Sequence, residues 1–209
     1  MRSKEEESLN ALTHLIGCVS CTFVFFLAFI HEDIALKNKI SFMPMVITSA
    51  WTFFSSYLYH STDAPILKER NRKIDKSSIY LMILGSGVSV CLTAIGSFVG
   101  ILSAILLCII AGTFVCLYCL MKEFPEWLSL SSYIIIGWFA TFPGLGVFSE
   151  SLYTVTGNSH YILLAGLFYC MGIVFYSKDS VKWNHTIWHL FVLLGCATHI
   201  AGHFMSITQ

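Results

Sequence analysis

The chain has 209 residues, of which 56% are hydrophobic and only 11% charged. Soluble domains carry roughly a quarter charged residues, so this composition excludes an ordinary soluble fold and points to a membrane bundle. Lys and Arg equal Asp and Glu in number, the formal net charge is zero, and no basic stripe appears, which argues against nucleic-acid binding.

The first stretch, "MRSKEEESLNALTHLIG", makes a poor signal peptide, because glutamates stand where a basic n-region belongs. It reads as a short tail leading into a retained helix. A hydrocarbon core of ~30 Å needs about 20 apolar residues per helix. Seven runs qualify, at 12–30, 41–60, 77–95, 98–121, 127–148, 158–176 and 185–205. Pro143, Gly144 and Gly146 in "TFPGLGVF" predict a kink or an early stop in the fifth. The connections are short, so one seven-helix membrane domain over 1–209 is expected.

Basic residues orient the bundle. With seven spans, one side holds Arg2, Lys4, Lys68, Arg70, Arg72, Lys73, Lys76, Lys122, Lys178 and Lys182, against only Lys37 and Lys39 on the other. That places the N-terminus in the cytosol and the C-terminus outside. The basic stretch "TDAPILKERNRKIDK" is expected to be a cytosolic loop facing anionic headgroups. The cysteines, including "CVSC" and "CLYC", all lie in apolar runs and read as small helix residues rather than as a disulfide or zinc framework.

Polar residues inside such helices are functional candidates by default. On this topology His60, Asp75, His185 and His189 reach one membrane face from three separate parts of the chain. His185 and His189 stand at i and i+4, so their rings share one helix face, the spacing by which a helix supplies two zinc ligands. Ser56 lies one turn deeper than His60. Three neutral imidazoles with one open position is the pattern of a catalytic zinc. Asp75 would then orient a ligand or act as general base toward water. The plainer alternative is interfacial histidines facing water, with Ser56 a helix-packing residue. His199 and His203 repeat the spacing, but His199 lies ~21 Å along the helix from His185. They read as headgroup or interhelix hydrogen-bonding residues, with a second metal or proton role as the alternative. His14 sits at the depth of the first site in a supporting position, and His31 and His160 look like outer interfacial residues.

At these residues the chain resembles the bacterial hemolysin III proteins. These are relatives of the progestin and adipoQ receptors, in a superfamily that includes alkaline ceramidases. The markers are "EEESLNALTHLIG", "SSYLYHS", "KIDKSSIYLMILGS" and "HTIWHLFVLLGCATH". The resemblance implies seven helices, a cytosolic N-terminus and a zinc ion near the cytosolic face. By motif, His60, His185 and His189 are its ligands, with Ser56 and Asp75 at the remaining shared polar positions. His199 falls in the motif region without being a ligand. The long soluble N-terminal region of the animal receptors is missing, which points to the bacterial branch, the bacterial inner membrane and no hormone-receptor role.

Three readings follow. The first is a zinc-dependent hydrolase of a lipid amide or ester, with Asp75 and Ser56 catalytic. The second is a non-enzymatic regulator or sensor of membrane homeostasis with structural zinc. The third is a pore with haemolytic activity, disfavoured because no charged residue lies in the middle of a helix. In each, the partners are membrane lipids.

Overall fold

A computed structural model describes residues 2–95, 98–142, 156–178 and 180–209. It is all-helical, with no strand among the described residues. The helices are α1 (Lys4–Ile30), α2 (Leu36–Ser61), α3 (Pro65–Val90), α4 (Phe98–Leu120), α5 (Glu126–Thr141), α6 (Ser159–Tyr176) and α7 (Asn184–Thr208), with a π-helical turn at Cys91–Ile95 after α3. Each overlaps one expected run. Five of them are long and apolar enough to cross a membrane, namely α1, α3 with its π turn, α4, α6 and α7. The expected α2 span carries Thr48, Ser49, Thr52, Ser55 and Ser56 on its inner side, which lowers its hydropathy. The α5 helix has only 16 residues.

Two helix starts differ most from the sequence reading. The basic stretch before "KIDK" is not a loop: α3 begins at Pro65. Proline suits the first helical position, and the Leu, Lys, Glu and Arg that follow are good helix formers, so charge did not prevent a helix. The α1 helix begins at Lys4, ahead of its apolar run, because Ser3 and Glu6 form a capping box. The α5 helix ends at Thr141. Pro143, Gly144 and Gly146, on which the kink was expected, lie outside the described residues.

Neighbours run α1–α2–α3–α5–α6–α7 and back to α1, while α4 packs outside on α3 and α5. Phe42, Met45, Phe53, Val192 and Cys196 form one core between α1, α2 and α7. Tyr80, Leu107, Tyr133 and Ile136 form another between α3, α4 and α5. Phe23 and Phe26 of α1, and Ile101, Ile105 and Ile109 of α4, point outward, as lipid-facing residues do. Polar bonds tie α2 to α3. Thr52 Oγ1 donates to the Ser78 carbonyl at 2.8 Å, and the Met45 amide, next to Pro44, donates to Ser89 Oγ at 2.9 Å.

The α2–α3 approach depends on Gly85, where a Cβ would collide with the Pro44 carbonyl and the Thr48 hydroxyl. Backbone cannot move aside as a side-chain end can. Gly85→Leu should therefore destabilise the protein by about 1–3 kcal/mol. Gly112, with open space around it, should accept Ala neutrally or with a gain of up to about 1 kcal/mol. Thermal unfolding of both variants in detergent checks the contrast.

Candidate metal centre

Three helix ends meet at one end of the bundle: the start of α1, the finish of α2 and the start of α7. The beginning of α7 is held from outside itself. Trp183, just before it, has a left-handed backbone (φ 69°), which costs a non-glycine residue on the order of 1 kcal/mol. Its amide donates to Glu6 Oε1 at 2.7 Å. Three residues on, Thr186 Oγ1 donates to Asn10 Oδ1, also at 2.7 Å. One polar face of α1 thus fixes how α7 starts, and so where His185 and His189 point.

His60, His185 and His189 are all buried, and each offers a ligand atom within 4.8 Å of the others. Among the described residues this is the one such cluster that could hold a metal. The outward nitrogens show whether a metal fits. A ligating imidazole binds through one nitrogen and donates the other N–H to an acceptor. His60 Nδ1 lies 2.8 Å from Glu7 Oε2, and His189 Nδ1 lies 3.3 Å from the Asn10 carbonyl and from Thr13 Oγ1. Both rings therefore present Nε2 inward.

His185 differs. Arg2 Nη2 lies 3.0 Å from its Nδ1, and a guanidinium only donates. Nδ1 is then an acceptor and the proton sits on Nε2, which meets His60 Nε2 at 3.4 Å. The result is a consistent chain from Arg2 through His185 and His60 to Glu7. The donor set suits a metal once Arg2 withdraws from His185 and the ring takes its other tautomer. Glu7 itself is shared with Lys68 Nζ at 3.2 Å and Arg2 Nη1 at 3.7 Å.

The cluster opens onto a cavity of about 380 Å³. Ser56, Asp75, His185 and His189 line its near end, and His199 and Thr141 the far end. Between them the wall is apolar and aromatic, including Ile83, Leu130, Tyr133, Trp138 and Trp188. Asp75 stands close enough to His60 and Ser56 to interact with both. The Ser56 hydroxyl is buried and has no hydrogen bond of good geometry among the described residues. Lys76 Nζ and Tyr176 Oη both reach Glu126 Oε1, at 3.4 and 2.8 Å, and join α3, α5 and α6 at the same end.

Four of the five residues singled out in sequence thus line one end of one cavity, and the fifth, His60, stands against His185 beside it. His203 is fully buried and bonds Thr93 Oγ1 of the π turn at 3.0 Å, which ties α7 to the end of α3. His160 is exposed, and His31 packs edge-on to Phe204. The cysteines are free: those of "CLYC" are exposed on α4, whereas in "CVSC" on α1 Cys18 is half-buried and Cys21 buried. The sequence reading overlooked Glu7 and Asn10. Their signal was available: Glu7, Asn10 and His14 at i, i+3 and i+7 put three polar groups on one face of an apolar helix.

Residues 2–200 match the family described as "Haemolysin-III related". Hemolysin-3 of Bacillus cereus is 30% identical over 198 residues, covering 92% of this chain and 88% of that protein. The Hemolysin-3 homolog of Bacillus subtilis (strain 168) is 28% identical over 198 residues, covering 92% and 90%. The human monocyte to macrophage differentiation factor is 49% identical over 35 residues, which cover 16% of this chain and 15% of that protein.

If Glu7 sets the His60 tautomer, Glu7→Ala should weaken divalent-metal binding about 10–100-fold while the helical fold is kept. Arg2→Ala should tighten it, because one competing contact is gone. Competition against a chromophoric chelator measures both.

Proposed function

The chain belongs to the haemolysin-III-related family, a multi-pass protein of the plasma membrane, and from that premise we propose that it is a zinc-dependent hydrolase of a lipid amide or ester. The observation that carries this reading is the convergence of three imidazoles, with acceptors already behind two of them, at the mouth of an apolar cavity that also presents Asp75 and Ser56. We read the bundle as seven spans with a cytosolic N-terminus, so the cluster faces the inner leaflet.

His60, His185 and His189 would hold the zinc. When bound, the ion supplies Lewis acidity toward a carbonyl and brings water into its reactive range near neutral pH. Asp75 accepts a proton from water at its carboxylate and passes it to the leaving nitrogen or oxygen. The Ser56 hydroxyl, which stands beside Asp75, donates to the carbonyl oxygen as negative charge develops there. The aromatic and aliphatic wall takes up the acyl chain and keeps bulk water out. The haemolysis in the relatives' names would then be a consequence of altered membrane lipid.

A second reading has one observation behind it. The cluster bridges α2 and α7, so a metal there would also fasten the bundle without any turnover. Elemental analysis followed by lipid incubation separates the two. About one zinc per chain is expected, lost in His185→Ala/His189→Ala. Metal-loaded protein should consume a lipid amide or ester, and Asp75→Asn should keep the metal while slowing turnover at least about 100-fold. Metal that raises thermal stability with no lipid consumed would favour the fastening role, and no metal at all would refute both.

A further inference from the structure

A fourth imidazole stands at the cluster without a task. His14 of α1 is 5% exposed, and neither Nδ1 nor Nε2 has a hydrogen-bond partner among the described residues. Its ring lies flat on that of His189, centroids 3.7 Å apart and planes 12° from parallel. Phe53 packs against it edge-on at 5.1 Å. It lines the same cavity as Asp75 and Ser56. It stands outside the set of three whose donor atoms lie within mutual reach. His60, His185, His189 and His203, all equally buried, each have a hydrogen bond.

Burying an imidazole with both nitrogens unmet is costly, and a native structure that does so calls for an explanation. Stacking supplies none. A phenyl ring of nearly the same shape would fill the space between His189 and Phe53 and bring no polar atoms with it. A neutral imidazole offers one donor and one acceptor, and here both are kept beside the candidate metal ligands and at the cavity wall.

We propose that His14 is a ligand-contact residue, whose ring N–H donates to a carbonyl or carboxylate oxygen of the molecule that enters the cavity at the three-histidine cluster. This rests on the functional reading above and extends it. The His14 contact is distinct from those of Asp75 and Ser56, and it comes from α1 rather than from α3 or α2. It binds oxygen of the ligand and does not hold the metal.

Zinc-loaded wild type, His14→Phe and His14→Gln, purified in detergent, test it with acetohydroxamate as a probe that carries such an oxygen. Metal content is read by elemental analysis and probe affinity by calorimetry. His14→Phe should keep about one zinc per chain and bind the probe about tenfold more weakly. His14→Gln, which retains a donor, should recover most of that loss. If His14→Phe does not fold, His14→Leu serves in its place. Zinc lost in both the apolar and the Gln variant would make His14 a metal ligand and overturn the proposal. Equal probe affinity in all variants would make it a packing ring, with the same result. Wild-type protein that binds no zinc would refute the hydrolase reading itself, and this proposal with it. Zinc-loaded wild type with unchanged affinities would refute only the role of His14.

Discussion

A neutral imidazole has one N–H, so fixing what one nitrogen meets decides what the other can do. That constraint organises this end of the bundle. Glu7 and the Asn10 carbonyl accept from the outer nitrogens of His60 and His189, and both rings then turn an electron pair inward. Arg2 imposes the opposite tautomer on His185. The cluster therefore has two imidazoles set for a cation and one held in the alternative form by a competing cation. A guanidinium and a metal ion act on that ring in opposite senses.

The first helix is thus more than a membrane span. Its opening turns hold Glu6, Glu7, Asn10, Thr13 and His14, and these residues contact the end of α2 and the start of α7. Glu6 both caps α1 and accepts the amide of the left-handed Trp183. One carboxylate therefore couples the start of one helix to the start of another nearly the whole chain away. Such bonds are worth more in a dry, partly buried setting than on a wetted surface, because the alternative is an unmet polar group.

The bundle places polarity asymmetrically. Outward residues of α1 and α4 are large and apolar, while serines and threonines of α2 face α3 and the cavity. Close approach at Gly85 and the hydroxyl bonds beside it replace the hydrophobic drive that is missing between helices in lipid. The same hydroxyl-rich interface brings Ser56 and Asp75 together across α2 and α3 at the near end of the cavity. Packing and site therefore share one surface.

The helices, and the residues most worth suspecting, were legible in the sequence. Apolar length sets where a chain can lie in hydrocarbon, and each of the seven runs overlaps a helix. The i, i+4 spacing put His185 and His189 on one face because helix geometry is local. His60 and Asp75 could be assigned to the same membrane face, and Ser56 one turn deeper, by counting along the helices. The start of α3 was not legible, because charge suggested a loop where Pro65 and good helix formers made a helix. Nor was the role of α1, whose glutamates looked like a tail until α2 and α7 stood beside them. Composition and periodicity are properties of one segment and act through its own backbone. Tautomers, the stacking of His14 on His189 and the enclosure of the cavity depend on which atoms meet across helices. Only the tertiary structure, through its interhelical bonds and close approaches, decided those.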